Sequence, residues 1–224
     1  MTAASSRQDQ LSALLALGRV IPVITLDRLD DAVPLARALV AGGVRLLEVT
    51  LRTAAGLDGA RAIMRAVPDA VVGIGTVLTP DDLRRAVEAG ASFALSPGAT
   101  PDLLAAAAGV PIPFLPGVAT ASELMAALAR GFTTAKFFPA ASAGGLPALR
   151  ALAGPFPLAR FCPTGGITEA NAAEWLALPN VVAVGGSWLT PAAEVAAGQW
   201  NLIRDRAART MSLAQSGSQR GPEA

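Results

Sequence analysis

The stretch Val71-Val72-Gly73-Ile74-Gly75-Thr76-Val77-Leu78-Thr79-Pro80-Asp81-Asp82-Leu83-Arg84-Arg85-Ala86-Val87-Glu88-Ala89-Gly90-Ala91-Ser92-Phe93-Ala94-Leu95-Ser96 decides the fold class. It opens with a β-rich apolar run, Val71–Val77. Thr79, Pro80, Asp81 and Asp82 then supply a hydroxyl cap, a first-turn proline and early acids, the signature of a helix N-terminus. Asp81–Ala89 carries helical periodicity and closes on Gly90. Phe93–Ser96 is a second short apolar run. Strand, capped helix and strand again make one right-handed βαβ unit, and such units build parallel sheets.

The same alternation extends in both directions. Strands are expected at Val20–Thr25, Leu46–Leu51, Val71–Val77, Phe93–Ser96, Ile112–Leu115, Thr134–Pro139, Arg160–Pro163 and Val181–Val184. Helical stretches between them include Asp31–Val40, Ala121–Arg130 and Ala170–Leu176, with further caps at Thr100, Thr120 and Thr168 and closing glycines at Gly42, Gly109 and Gly131. Eight units between Val20 and Thr190 predict an α/β fold, a (β/α)8 TIM barrel, with an extra N-terminal helix at Gln8–Leu17 covering its bottom. A doubly wound open sheet is the structural alternative. No linker interrupts the pattern, so residues 1–212 are expected to form one domain, with 213–224 a disordered tail of Gln, Ser, Gly and Arg.

Composition narrows the chemistry. The 224 residues include one Cys, no His and no Tyr, and 18 basic residues against 17 acidic ones give a net charge of +1. That balance lacks the footprint of a nucleic-acid binder. A single Cys forms no internal disulfide, so a cytoplasmic setting is expected. Without His, a Ser-His-Asp triad and a His-ligated catalytic zinc are impossible. The uncharged runs Leu103–Ser122 and Trp175–Ala193 are broken by Pro and Gly, so no membrane span is expected. The N-terminus has no basic start, and no cleavable leader is expected.

The only lysine among the 18 basic residues is Lys136, in Thr134-Ala135-Lys136-Phe137-Phe138-Pro139. It sits inside an apolar strand, where an unpaired ammonium is costly. Arg cannot replace Lys where a deprotonated amine is needed, because guanidinium stays charged. Desolvation tunes such an amine for attack on a carbonyl. A buried structural ion pair is the plain alternative. Glu48 is similarly out of place in mid-strand. Strand alternation puts Glu48, Thr50 and Arg52 on one face and Leu47, Val49 and Leu51 on the other. A Glu48–Arg52 pair filling the interior is one reading. A carboxylate base facing Lys136 is the other. Two glycine turns, Thr164-Gly165-Gly166 and Gly185-Gly186-Ser187, follow the seventh and eighth runs, where barrels often hold phosphate. Cys162 reads as an apolar filler without a role.

The chain resembles the class I 2-keto-3-deoxy-6-phosphogluconate (KDPG) aldolases, which include 4-hydroxy-2-oxoglutarate (KHG) aldolases. The segments that carry the resemblance are Pro22-Val23-Ile24, Ala41-Gly42-Gly43-Val44, Glu48-Val49-Thr50-Leu51-Arg52-Thr53 and Gly75-Thr76-Val77. They continue with Ser96-Pro97-Gly98, Lys136-Phe137-Phe138-Pro139-Ala140, Cys162-Pro163-Thr164-Gly165-Gly166-Ile167 and Gly185-Gly186-Ser187-Trp188. The resemblance implies a cytoplasmic, homotrimeric barrel that cleaves KDPG to pyruvate and glyceraldehyde 3-phosphate, without metal or other cofactor. It implies that Lys136 forms the Schiff base and Glu48 shuttles protons. It further implies that Arg52 and Thr76 hold the pyruvyl carboxylate, Phe138 packs beside that group, and Thr164 sits near the reacting hydroxyl. Gly165, Gly166, Gly186 and Ser187 would take the phosphate. The expected partner is a small phosphorylated keto acid, with no nucleic acid and no membrane. Alternatives are the galactonate-epimer or 4-hydroxy-2-oxoglutarate substrate. A metal-dependent aldolase, a sugar-phosphate isomerase and a non-catalytic sugar-phosphate-binding barrel are the rival readings.

Overall fold

The computed structural model describes residues 3–216. The elements run α1 (Ala3–Ala16), β1 (Val20–Ile24), a 3-10 turn (Leu29–Asp31), α2 (Ala32–Ala41), β2 (Leu46–Thr50), α3 (Gly56–Ala66) and β3 (Val71–Gly75). They continue with α4 (Pro80–Glu88), β4 (Phe93–Leu95), α5 (Pro101–Gly109), β5 (Phe114–Leu115), β6 (Gly117–Val118), α6 (Ala121–Ala129) and β7 (Thr134–Phe137). The last are α7 (Gly145–Ala153), β8 (Arg160–Pro163), α8 (Ala172–Leu176), β9 (Val184–Gly186), α9 (Ala192–Ala196) and α10 (Trp200–Ser216).

All strand pairs are parallel. Six strands form a curled sheet in the order β5-β4-β3-β2-β1-β9, and three more pair as β6-β7-β8. Single parallel bridges, Phe161 to Val181 and Thr164 to Gly185, join β8 to the segment that carries β9. On the other side only Pro116 separates β5 from β6. The fifth expected run, Ile112–Leu115, is strand only at Phe114–Leu115, and a further short strand, Gly117–Val118, follows Pro116, which has no N–H to give a ladder. The eighth run also shifts: β9 starts at Val184 rather than Val181. The Val181 N–H closes a turn onto the Leu178 carbonyl instead of entering a ladder.

The caps show why the helices start where they do. The Thr79, Thr100 and Thr120 hydroxyls accept from the N–H of Asp82, Leu103 and Glu123. Asp82 and Glu123 return the bond to the cap backbone. Each such cap contributes about 1 kcal/mol. Thr168 is not a cap; its N–H donates to the Asn171 side chain, and α8 starts only at Ala172. The α10 helix runs to Ser216, four residues into the segment expected as a tail. The rest of that segment, 217–224, lies outside the described residues.

The alternation in β2 holds. Leu47 and Val49 join the main core with Leu35, Leu39 and Ile63 of the covering helices. Burying each such side chain contributes about 1.5–3 kcal/mol. Leu11 and Leu15 of α1 instead pack with Ile21, Leu46, Phe93, Leu95, Leu115, Cys162 and Ala183. The N-terminal helix thus seals an apolar layer on the sheets' inner side. Above that layer, nearer the strands' C-terminal ends, the inner face turns polar.

Candidate active site

Lys136 on β7 and Glu48 on β2 meet across the two sheets. Lys136 Nζ donates to Glu48 Oε1 at 2.8 Å. Lys136 is 3% exposed and Glu48 1% exposed, so the pair is buried from bulk solvent. Removing one partner of such a pair leaves an uncompensated buried charge, at about 3–5 kcal/mol. The Lys136 ammonium also lies 5.7 Å from the Phe138 ring centroid, within cation–π range.

Small neighbours make room for this pair. Lys136 is in register with Gly117 on one side and Cys162 on the other. Its long side chain crosses the interior because neither neighbour fills it. On β3, Gly73 and Gly75 alternate onto the inner face. A Cβ at Gly73 would overlap the Phe93 ring, and a Cβ at Gly75 would overlap Glu48 Oε1. The sequence reading assigned no role to Gly75. Its signal was present: two glycines at alternate positions of a strand mark the close approach of something bulky.

Thr76 follows directly and has φ of 60°. A β-branched residue in the left-handed region costs about 1–3 kcal/mol and is held there by its surroundings. Such strain concentrates at ligand clamps. Arg52 departs from the expected strand ladder. β2 ends at Thr50, so Arg52 lies in the following turn and is exposed. Among the described residues it forms no ion pair, and the Glu48–Arg52 pair does not exist. Glu48 takes Lys136 instead. Thr50, buried beside Glu48 on the same face, donates to the Ile24 carbonyl.

The glycine turns stand at the ends of neighbouring strands. Thr164 is buried after β8, and its hydroxyl occupies the space that a Cβ on Gly185 would need. Gly165 and Gly166 have φ of 100° and 78°, a left-handed pair that side chains disfavour. A Cβ on Gly165 would touch the Phe138 ring at 3.4 Å. This turn therefore borders the Lys136 site. Gly186 is buried in β9 and Ser187 is exposed beside it. The structure thus joins Lys136, Glu48 and Phe138 in one cluster, with Thr164 and Gly165 at its border. It puts Arg52, Thr76, Gly166, Gly186 and Ser187 at or just past the strands' C-terminal ends.

Cys162 is also near the pair. Burial pushes its thiol up to about 12. Below that pH it stays protonated and is a poor nucleophile. In the folded protein at neutral pH, Cys162 is expected to resist a thiol-reactive disulfide for hours and to react within minutes in denaturant. A colorimetric thiol titration checks this. Among the described residues no three His, Cys, Asp or Glu side chains group so as to hold a metal ion. No described helix is long and apolar enough to cross a membrane.

Known proteins resemble this chain in sequence and in fold. A family model described as KDPG and KHG aldolase matches residues 11–205. The chain is 54% identical over 191 residues to the KHG/KDPG aldolase of Escherichia coli K12, covering 85% of this chain and 90% of that one. It is 52% identical over 190 residues to the 2-dehydro-3-deoxy-phosphogluconate aldolase of Dickeya dadantii, covering 85% and 89%. Among solved structures, the KDPG aldolase of Legionella pneumophila superposes with a TM-score of 0.88 at 48% identity, covering 89% of this chain and 97% of that one. That crystal holds pyruvate captured as a covalent carbinolamine. The KDPG aldolase of Zymomonas mobilis with 3-phosphoglycerate superposes at 0.83 with 46% identity, covering 90% and 96%. Sequence and three-dimensional structure lead to one conclusion: the chain belongs to the KDPG and KHG aldolase family.

Proposed function

We propose that the chain is a class I aldolase that cleaves 2-keto-3-deoxy-6-phosphogluconate to pyruvate and glyceraldehyde 3-phosphate through an imine on Lys136. The observation that carries this is the buried Lys136–Glu48 contact at 2.8 Å. A carboxylate at that distance accepts the ammonium proton and frees the amine. The amine adds to the C2 ketone as a carbinolamine; Glu48 returns its proton to the carbinolamine hydroxyl, which leaves as water, so that a protonated imine and the Glu48 carboxylate remain. Glu48 takes the C4 hydroxyl proton. The C3–C4 bond breaks, its electron pair moves onto C3 as an enamine, and the aldehyde leaves. Protonation of C3 and addition of water release pyruvate and restore the amine. The carbinolamine in the Legionella pneumophila relative supports the first step.

Arg52, exposed and without an ion pair among the described residues, and Thr76, held at a strained turn, suit the pyruvyl carboxylate. Fixing that group orients the imine. Phe138 packs beside it, and Thr164 stands by the reacting hydroxyl. The left-handed turn at Gly165 and Gly166, with Gly186 and Ser187, suits a phosphate, whose binding energy positions a remote bond. This favours a phosphorylated substrate over 4-hydroxy-2-oxoglutarate. A higher kcat/KM for the phosphorylated acid is expected in a coupled lactate dehydrogenase assay.

The same reading takes the two sheets as arcs of one closed (β/α)8 barrel in a single domain, with α1 across one end. The bridges from β8 to β9 and the short gap at Pro116 support closure. It takes the active species as a cytoplasmic homotrimer needing no cofactor. Incubation with pyruvate and borohydride, followed by peptide mapping, tests the chemistry. A reduced adduct on Lys136 is expected, with turnover unchanged by EDTA. A folded protein that gains no adduct overturns the reading.

A further inference from the structure

Two buried side-chain polar atoms lack a hydrogen-bond partner among the described residues: Trp188 Nε1 and Thr210 Oγ1. Both line one small cavity, with Val20, Glu169, Ala172 and Leu176. A water's centre can occupy about 10 Å³ of it, which is room for one molecule. A buried indole N–H beside a buried hydroxyl is unfavourable when both stay dry. One water placed there would satisfy both, accepting from Trp188 and bonding the Thr210 hydroxyl.

The location gives this pairing a role. Trp188 lies two residues past Gly186, and its ring edge fills the space that a Cβ on Gly186 would take. The indole is the wall against which the Gly185-Gly186-Ser187 turn rests. Glu169 lies three residues past Gly166, so segments that follow both glycine turns border the cavity. Thr210, 2% exposed on α10, lines the same cavity from the opposite element. We propose that Trp188 and Thr210, bridged by one water in this cavity, are positioning residues that hold the Gly185–Ser187 turn in the shape that takes the substrate phosphate.

The inference rests on the reading of Gly165, Gly166, Gly186 and Ser187 as the phosphate cradle, and its test separates the two. The full chain and the variants Thr210→Val, Thr210→Ser and Ser187→Ala are assayed on the phosphorylated keto acid and on 4-hydroxy-2-oxoglutarate. Thr210→Val is expected to raise KM for the phosphorylated acid about three- to tenfold, the range one net hydrogen bond spans. Its kcat, and its kcat/KM on the unphosphorylated acid, should stay at wild-type values. Thr210→Ser keeps the hydroxyl and should match wild type. If Thr210→Val does not fold, Trp188→Phe removes the N–H in its place with the same expectation. A variant unchanged on both substrates, or impaired equally on both, overturns the inference while a selective Ser187→Ala effect leaves the cradle standing. A Ser187→Ala variant without phosphate selectivity overturns the cradle, and the inference with it.

Discussion

Lys136→Arg is expected to lose turnover by about 10⁴-fold or more, the scale seen when a covalent nucleophile is removed. The substitution keeps the positive charge and can keep an ion pair with Glu48. It removes the one property the proposed chemistry needs, an amine that can shed its proton, because guanidinium stays charged at any working pH. Lys136→Ala is a poorer test. It strands the Glu48 carboxylate in a buried interior, and the resulting loss of about 3–5 kcal/mol confuses misfolding with lost catalysis. The check is a steady-state rate beside a thermal melt. A folded, fully active Lys136→Arg enzyme would rule out the imine.

Glu48→Gln should separate imine formation from carbon–carbon cleavage. The amide has the shape of the carboxylate but does not take a proton. Rates are expected to fall about 10²–10⁴-fold, the usual contribution of general acid–base catalysis. The Lys136 amine, the group that adds to pyruvate, is unchanged in the variant. Pyruvate with borohydride should therefore still label Lys136 in this variant. Wild-type turnover would remove Glu48 from the mechanism. A protein that no longer traps pyruvate would make the proton that Glu48 takes from Lys136 indispensable to imine formation, and the variant would then not separate the two steps.

Much of this was legible in the residues because the signals are local. Thr79, Thr100 and Thr120 announce their helices through bonds that close within a single turn. Strand alternation alone put Leu47 and Val49 under the helices and Glu48 on the opposite face. Lys136 stood out because it is the sole lysine and is set in an apolar strand. The misreadings fall at strand ends, where short-range periodicity does not say where the ladder stops. Arg52 looked like a continuation of the β2 ladder, yet the strand ends at Thr50. The eighth strand looked like Val181–Val184, yet the chain first closes a turn onto Leu178.

The sequence by itself determined the alternating α/β parallel architecture, the identity of the amine and the carboxylate, and the absence of any histidine route. These follow from residue type and short-range periodicity. Only the tertiary structure decided which charges pair. Glu48 is four residues from Arg52 and 88 from Lys136, yet it bonds Lys136. The strands' register puts Gly117 and Cys162 beside Lys136 and Gly75 against Glu48, and the two long side chains meet in the room these small neighbours leave. Partner choice in a packed interior is set by which neighbours are small, and those neighbours come from strands far apart in the chain.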